Sequence, residues 1–256
     1  MIRLLSAKLF SYLSFHRFTL LHLGLIVLLS YAASQLTLNI QGSVDFLHGL
    51  FARPAVWRTI VGLSRWLLYI PAFFVIQLVC AEFELKVVRA QVIAGLERWQ
   101  IVLSWVAQNL LLVTCGVITT IACGLLLGYA SIEQADVGVA SSLLSLLRAE
   151  LGYLIYGMAF LNAAVLSGVL LRRPVPAIML LVLWPLLIEP VLTFTLEHKQ
   201  LAAVVPYLPF ASLGTLVTWH NASAAFDPFA LTTWVALAYG LAAVLAAGLL
   251  LERADL

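Results

Sequence analysis

Six apolar runs, each about the length of a membrane-spanning helix, are the feature that most restricts what this chain can fold into. A helix rises 1.5 Å per residue, so about 20 apolar residues cross a hydrocarbon core of about 30 Å. Of 256 residues, 63% are hydrophobic and only 10% are charged. A soluble domain carries about 25% charged residues and cannot hide this much apolar surface. The composition excludes a soluble enzyme, a disordered chain and a free nucleic-acid binder. A net charge of +2 offers nucleic acid no handle. The expected architecture is an all-α membrane protein in one transmembrane domain, residues 1–256. Loops take up the remainder and no separate soluble domain is expected.

The spans are expected at about 18–35, 59–80, 101–129, 150–171, 175–196 and 229–251. Residues 1–17 are interrupted by Arg3, Lys8, His16 and Arg17, while Ile2, Leu5, Leu9, Tyr12 and Leu13 recur at helical spacing. That pattern predicts an amphipathic helix in the membrane interface, its cations facing lipid phosphates. A signal peptide is the rival, suggested by the basic start and the small residues Ala32, Ala33 and Ser34. The length of the charged region and the five further spans oppose it. Segments 36–57 and 131–147 read as loops. Arg65 is expected to snorkel outward, and Pro71 to kink its span. Of the 14 lysines and arginines, nine fall on the side of the N-terminus and five opposite. The positive-inside rule then puts both termini in the cytoplasm, with the 36–58 and 197–228 segments outside. Trp57, Trp66, Trp99, Trp105 and Trp234 near span ends suit interfacial anchoring. Gly124 with Gly128, and Ala242, Ala243, Ala246 and Ala247, predict close helix packing. No repeat of 20–50 residues is visible.

Catalytic patterns are missing from the sequence. There is no HExxH, no CxxC, no paired intramembrane aspartates and no Gly-Lys-Ser/Thr phosphate loop. Ser167 lies in the fourth span, but His198 and His220 fall in the loop between spans five and six, so no serine dyad is expected. His22 reads as a packing histidine whose polar atoms are satisfied. Cys80, Cys115 and Cys123 sit in apolar runs with no metal spacing and read as packing residues. The expectation is no catalytic residue, no metal and no cofactor on this chain. Asn221-Ala222-Ser223 matches a glycosylation sequon that is common by chance.

The segment Glu82 to Arg98 is the most charged part of the chain. Leu85, Val88, Val92 and Leu96 recur at helical spacing with Ile93 beside them, while Lys86, Arg89 and Glu97 point elsewhere. This predicts a short amphipathic helix on the cytoplasmic face, which Gly95 can end or bend. Three acids balance three bases there. Anionic lipid prefers a basic face, so a protein groove is the expected partner of the stripe.

The stretch EFELKVVRAQVIAGLERWQIVLSW, together with the predicted interfacial helix, six spans and long apolar outer segment, resembles the ABC-2 type permeases, the membrane subunits of type V ABC exporters. The resemblance implies a permease whose Glu82 closes span two. Glu84, Arg89, Gln91, Gly95, Leu96 and Arg98 would then belong to the loop that couples to an ATPase. Val87 stands where that branch carries threonine. Pro206-Tyr207-Leu208-Pro209-Phe210 resembles the family's outer helices that dip back between spans five and six. The implied partners are a cytoplasmic ATP-binding subunit holding ATP and Mg, a second copy or sister permease, and the lipid bilayer. The implied location is a bacterial inner membrane. A chain without a nucleotide site must borrow its free energy, and a rigid loop helix between two spans can pass an ATPase's motion to the bundle.

Glu189, beside Pro190, lies about 21 Å along span five, counted at 1.5 Å per residue. An ionisable residue inside a span is costly and tends to have a role. Two readings stay open. The carboxylate reaches the outer interface or pairs with Arg65 or Arg148; or Glu189 and Pro190, with Pro206 and Pro209, belong to an outer gate. Pro185 and Pro190 predict a bent span. Gln77, Gln108, Asn109 and Asn162 are the notable polar residues within the spans, and Gln108 and Asn109 are expected to make interhelical hydrogen bonds. The alternatives to an exporter are a secondary transporter or channel, a non-transporting scaffold that uses the same loop, and an intramembrane enzyme. The cargo is not readable, although an apolar lumen would suit an amphipathic one.

Overall fold

The computed structural model describes residues 13–39, 55–130, 139–216 and 230–253. Every regular element among them is helical. In chain order these are α1 (Leu13–Asn39), α2 (Ala55–Leu67), α3 (Tyr69–Glu84), α4 (Val87–Ile93), α5 (Arg98–Ala130), α6 (Val139–Leu171) and α7 (Pro174–Leu183). A π-helical turn (Trp184–Ile188), α8 (Glu189–His198), a 3-10 turn (Ala202–Tyr207), α9 (Pro209–Thr215) and α10 (Leu231–Glu252) complete the fold. Five continuous segments are long and apolar enough to cross a membrane: Thr59–Glu84, Arg98–Leu127, Leu144–Leu171, Pro174–His198 and Leu231–Glu252. A shorter apolar stretch, Thr19–Ser34, lies within α1.

The break between α2 and α3 has a local cause. Pro71 has no N–H, so the Leu67 carbonyl, four residues back, loses its intrahelical donor. Buried His22 of α1 supplies one: its Nδ1 lies 3.1 Å from the Leu67 oxygen. A carbonyl only accepts, so the proton must sit on Nδ1. The histidine is thus the satisfied packing residue expected, and its partner is a backbone group that proline set free.

α6 is the central helix. It packs against α10, α3, α5, α2 and α7, and its apolar segment is the most buried of the five. Its register with α5 is antiparallel and visible rung by rung. Asn109 Nδ2 donates to Asn162 Oδ1 at 3.1 Å. Further along, Gly157 faces Val113, Gly116 lies under the Tyr153 ring, and Thr120 Oγ1 meets Glu150 Oε2 at 2.8 Å. Small residues allow these approaches, since any Cβ at Gly157 would press on Val113. Small residues act likewise where Gly240 of α10 meets Ala159 of α6.

The segment 174–198 is the least buried of the five. α6 ends at Leu171, the next residue Arg172 has a left-handed backbone (φ 51°), and Pro174 starts α7 at a position that needs no N–H donor. Pro185 and Pro190 then each remove a donor and crowd the carbonyl four residues back. The helix responds by widening to one π turn, in which the Glu189 N–H bonds the Trp184 carbonyl. The two prolines thus mark a local change of helix type within span five.

Several boundaries differ from the expected ones. Residues 139–147 are helical rather than loop, and Ala55 to Trp57 already belong to α2. The Arg148 and Glu150 charges hid the first turns of α6. The interfacial helix over 1–17 falls mostly outside the described residues, and Leu13–Arg17 continue into α1. Most of the 36–58 segment, Asn221 and the charges of 131–138 also lie outside them. Trp66 and Trp234 are exposed, as interfacial anchors would be, but Trp57 and Trp105 are buried. Trp57 lies across Gly124, which explains the small residue there.

Candidate functional site

Two features of this bundle carry polar chemistry, and they lie at opposite ends of the 59–84 span. The first is the loop between α3 and α5. Lys86 adopts a left-handed backbone (φ 56°) that turns the chain out of α3 and into α4. Gly95 (φ 89°) ends α4: the Leu96 N–H reaches the Gln91 carbonyl at 3.1 Å and the Gly95 N–H the Val92 carbonyl at 3.0 Å. This is the left-handed cap that glycine serves best. The helix between them is only two turns long. Its expected apolar stripe is divided. Val88 is buried and Val92 packs on the core, whereas Leu85 and Ile93 are 73% and 77% exposed. Glu84, Lys86, Arg89 and Glu97 are exposed too, and Gln91 and Leu96 are half-buried.

The loop's roots are tied down. Glu82 is turned inward, 1% exposed, and accepts a hydrogen bond from Trp105 Nε1 of α5 at 3.1 Å. Arg98, the first residue of α5, donates from Nη1 to the Leu251 carbonyl at 2.9 Å and to the Glu252 carbonyl. These are terminal carbonyls of α10, at the negative end of the helix dipole, which attracts a cation. The neighbouring Trp99 covers Gly248 with its ring and donates to the Glu252 carboxylate. Arg172, just past α6, places its guanidinium 5.2 Å from the Phe83 ring centre. Of the seven loop residues singled out from the sequence, Glu82 and Arg98 therefore hold the frame. Glu84, Arg89, Gly95 and, in part, Gln91 and Leu96 form its surface.

The second feature surrounds Glu189. This side chain is 5% exposed, and neither Arg65 nor Arg148 bonds it. Its Oε2 accepts the Phe210 N–H at 3.0 Å, and its Oε1 accepts that of Ala211. Those amides are among the unsatisfied donors at the start of α9, where Pro209 already occupies the first helical position. One carboxylate from α8 thus caps a helix 21 residues further along the chain, with its charge at the positive end of the helix dipole. Pro190 follows the π turn that aims Glu189, and Pro206 lies inside the 3-10 turn that leads to α9. Tyr239 of α10 fixes the same segment by donating to the Tyr207 carbonyl at 3.0 Å. The four outer residues picked from the sequence, Glu189, Pro190, Pro206 and Pro209, are thereby brought into one assembly.

Two hollows flank α9. One, of about 550 Å³, is amphipathic and includes Arg65, Tyr69, Tyr156 and Glu197 in its walls. The other, of about 410 Å³, is almost wholly apolar; it lies between α6, α7, α9 and α10, with Ala163, Leu180, Trp184, Phe210 and Ala246 among its lining.

Sequence reasoning missed Glu150. Placed at a span boundary, it is instead a buried carboxylate two turns into the apolar part of α6, bonded to Thr120. The apolar stretch Leu143–Leu147 just before it was the available signal. No protein-family model and no curated protein matches this chain.

Proposed function

We propose that this chain is the membrane permease subunit of an ATP-driven ABC exporter of the ABC-2 type. In this reading α1 supplies a sixth span, both termini are cytoplasmic and the membrane is a bacterial inner membrane. A cytoplasmic ATP-binding subunit, carrying ATP and Mg, docks on the α4 loop, and the permease works as a pair with a second copy or a sister permease. The chain itself catalyses nothing. ATP-driven approach of two ATPases moves α4, and the bundle passes between two states that nucleotide biases differently.

One observation carries the reading: Leu85 just before α4, with Arg89 and Ile93 of α4, forms a mixed exposed surface on a loop whose roots are tied to α5, to the end of α10 and to Arg172 after α6. A loop meant only to connect two spans has no need of exposed apolar side chains or of an arginine clamp. Coupling needs both, since a soft connection would absorb the motion. At the other end, Glu189 and Pro190 of α8 with Pro206 and Pro209 before and in α9 form a hinged outer closure, a gate that moves when α8 moves.

The test is co-purification from detergent of the tagged chain with a subunit that hydrolyses ATP. The informative variant is Arg89→Glu with Ile93→Asp, because both residues are on the surface and the roots remain intact. Loss of the ATPase from a variant that unfolds at the native temperature supports the reading. A well-folded native chain that never brings an ATPase refutes it, and leaves a secondary transporter, a channel or a scaffold.

A further inference from the structure

The amphipathic cleft beside α9 holds a cation with no carboxylate partner among the described residues. Arg65 lies in the last turn of α2, inside the apolar 59–84 segment. Its guanidinium sits 5.0 Å from the Trp66 ring centre, and it pairs with no carboxylate among the described residues. Such a charge within a span is expensive unless it meets water or a counter-charge. Glu189 shares the cleft, but each of its oxygens accepts an amide N–H of α9 and no bond to Arg65 joins them. Glu197, the other acid in the walls, is exposed one residue from the end of α8.

Along α2 and α3, Tyr69 lies about 6 Å beyond Arg65; along α8 and the π turn, Leu186 lies about 16 Å beyond Glu197, which is one residue from the end of α8. The cleft therefore offers an exposed carboxylate, a guanidinium with a phenol one turn further on, and an apolar wall. An amine-bearing phospholipid has the complementary groups: ammonium, phosphate, ester and acyl chain. We propose that this cleft binds a zwitterionic amine-bearing phospholipid, with its phosphate on Arg65, its ammonium on Glu197 and its acyl chain past Leu186. Tyr69, Tyr156, Trp66 and Phe194 line the same cleft. Arginine suits phosphate because its planar fork presents paired donors.

The proposal does not depend on the exporter reading, and its test uses the full chain without any ATPase. The chain in detergent is titrated with phosphatidylethanolamine or phosphatidylglycerol and bound lipid is counted by native mass spectrometry. The wild type should retain phosphatidylethanolamine about two- to fivefold better, the scale of one partly solvated ion pair. Glu197→Gln, a change at an exposed site, should abolish the preference without weakening phosphatidylglycerol. Arg65→Gln should weaken both lipids, and Arg65→Lys should restore part of the binding, which separates lost charge from lost packing. Soluble phosphoethanolamine distinguishes the two sources of the head group. If it fails to compete, an intact lipid is the ligand. Competition at equal concentration overturns the acyl-chain assignment. Equal retention of both lipids by the wild type, or an unchanged preference in Glu197→Gln, overturns the proposal.

Discussion

Replacing Glu189 with alanine should release α9 from the bundle while leaving the bundle folded. The structure sets the size of the effect. Two backbone amides donate to one carboxylate. A hydrogen bond to a charged group contributes about 1.5–3 kcal/mol. The Phe210 and Ala211 positions are half-buried, so their freed amides regain some water. Taking the low end for each bond and discounting for that water leaves about 2–3 kcal/mol for the pair. Local opening governs amide exchange, so residues 208–216 should exchange about 30- to 150-fold faster. The assay is hydrogen–deuterium exchange by mass spectrometry on the full chain in nanodiscs. Peptides from α6 report on the fold as a whole and should not change. Glu189→Gln should fall between, because one amide oxygen still accepts while the new NH2 group faces a donor. Glu189→Asp should resemble alanine if reach matters, since it is shorter by one methylene. Unchanged exchange over 208–216 in Glu189→Ala, with α6 also unchanged, would falsify the capping role. Equal acceleration everywhere would show instead that Glu189 supports the whole bundle.

Three further regions give similarly direct expectations. His22→Leu should destabilise the protein by about 1–3 kcal/mol by leaving the Leu67 carbonyl without a donor. In a Pro71→Ala background, where residue 71 regains its N–H, the same change should cost at least 1 kcal/mol less, roughly the value of one hydrogen bond; additive effects in thermal unfolding would sink the idea. Gly95→Ala should cost about 1 kcal/mol through its left-handed backbone, because the space around it is open. Gly248→Ala should cost about 1–3 kcal/mol for the opposite reason: the backbone is helical but the Trp99 ring occupies the site. Intrinsic fluorescence and melting temperature would separate the two, since only the second moves a tryptophan. Glu150→Gln retains an oxygen for Thr120, so the melting temperature should hold; a marked drop would mean the carboxylate charge itself is needed.

The membrane class was legible because lipid imposes a one-dimensional rule on sequence: a span must be apolar over a fixed length. Turn residues were legible for a similar reason. Gly95 announced the end of α4, and Pro185 with Pro190 announced the distortion of span five, since both residue types act through their own backbone. Glu150 defeated the same reasoning. A hydropathy window reads a buried carboxylate as the end of a span, and nothing local says that Thr120, 30 residues earlier, will meet it. Trp57 and Trp105 were misplaced at the interface because a tryptophan near a span end reads the same whether it faces lipid head groups or a glycine.

At the loop, sequence periodicity placed the helix correctly but could not say which of its residues are free. Arg89 and Arg98 are alike as charges. Only the packing of α10 against α5 turns Arg98 into a cap on a distant helix and leaves Arg89 exposed. Glu189 shows the division most plainly. Sequence alone made it an anomaly, a charge in an apolar run beside a proline. Its partner was beyond any local pattern, because the two amides that bind it become donors only when α9 starts at Pro209 and folds back onto α8. Chain-local properties, which are hydropathy, backbone restriction and charge count, were therefore settled by the sequence. The pairing of polar groups was decided by the tertiary structure, because in a low-dielectric bundle each polar group must find whichever partner the fold brings within hydrogen-bonding distance.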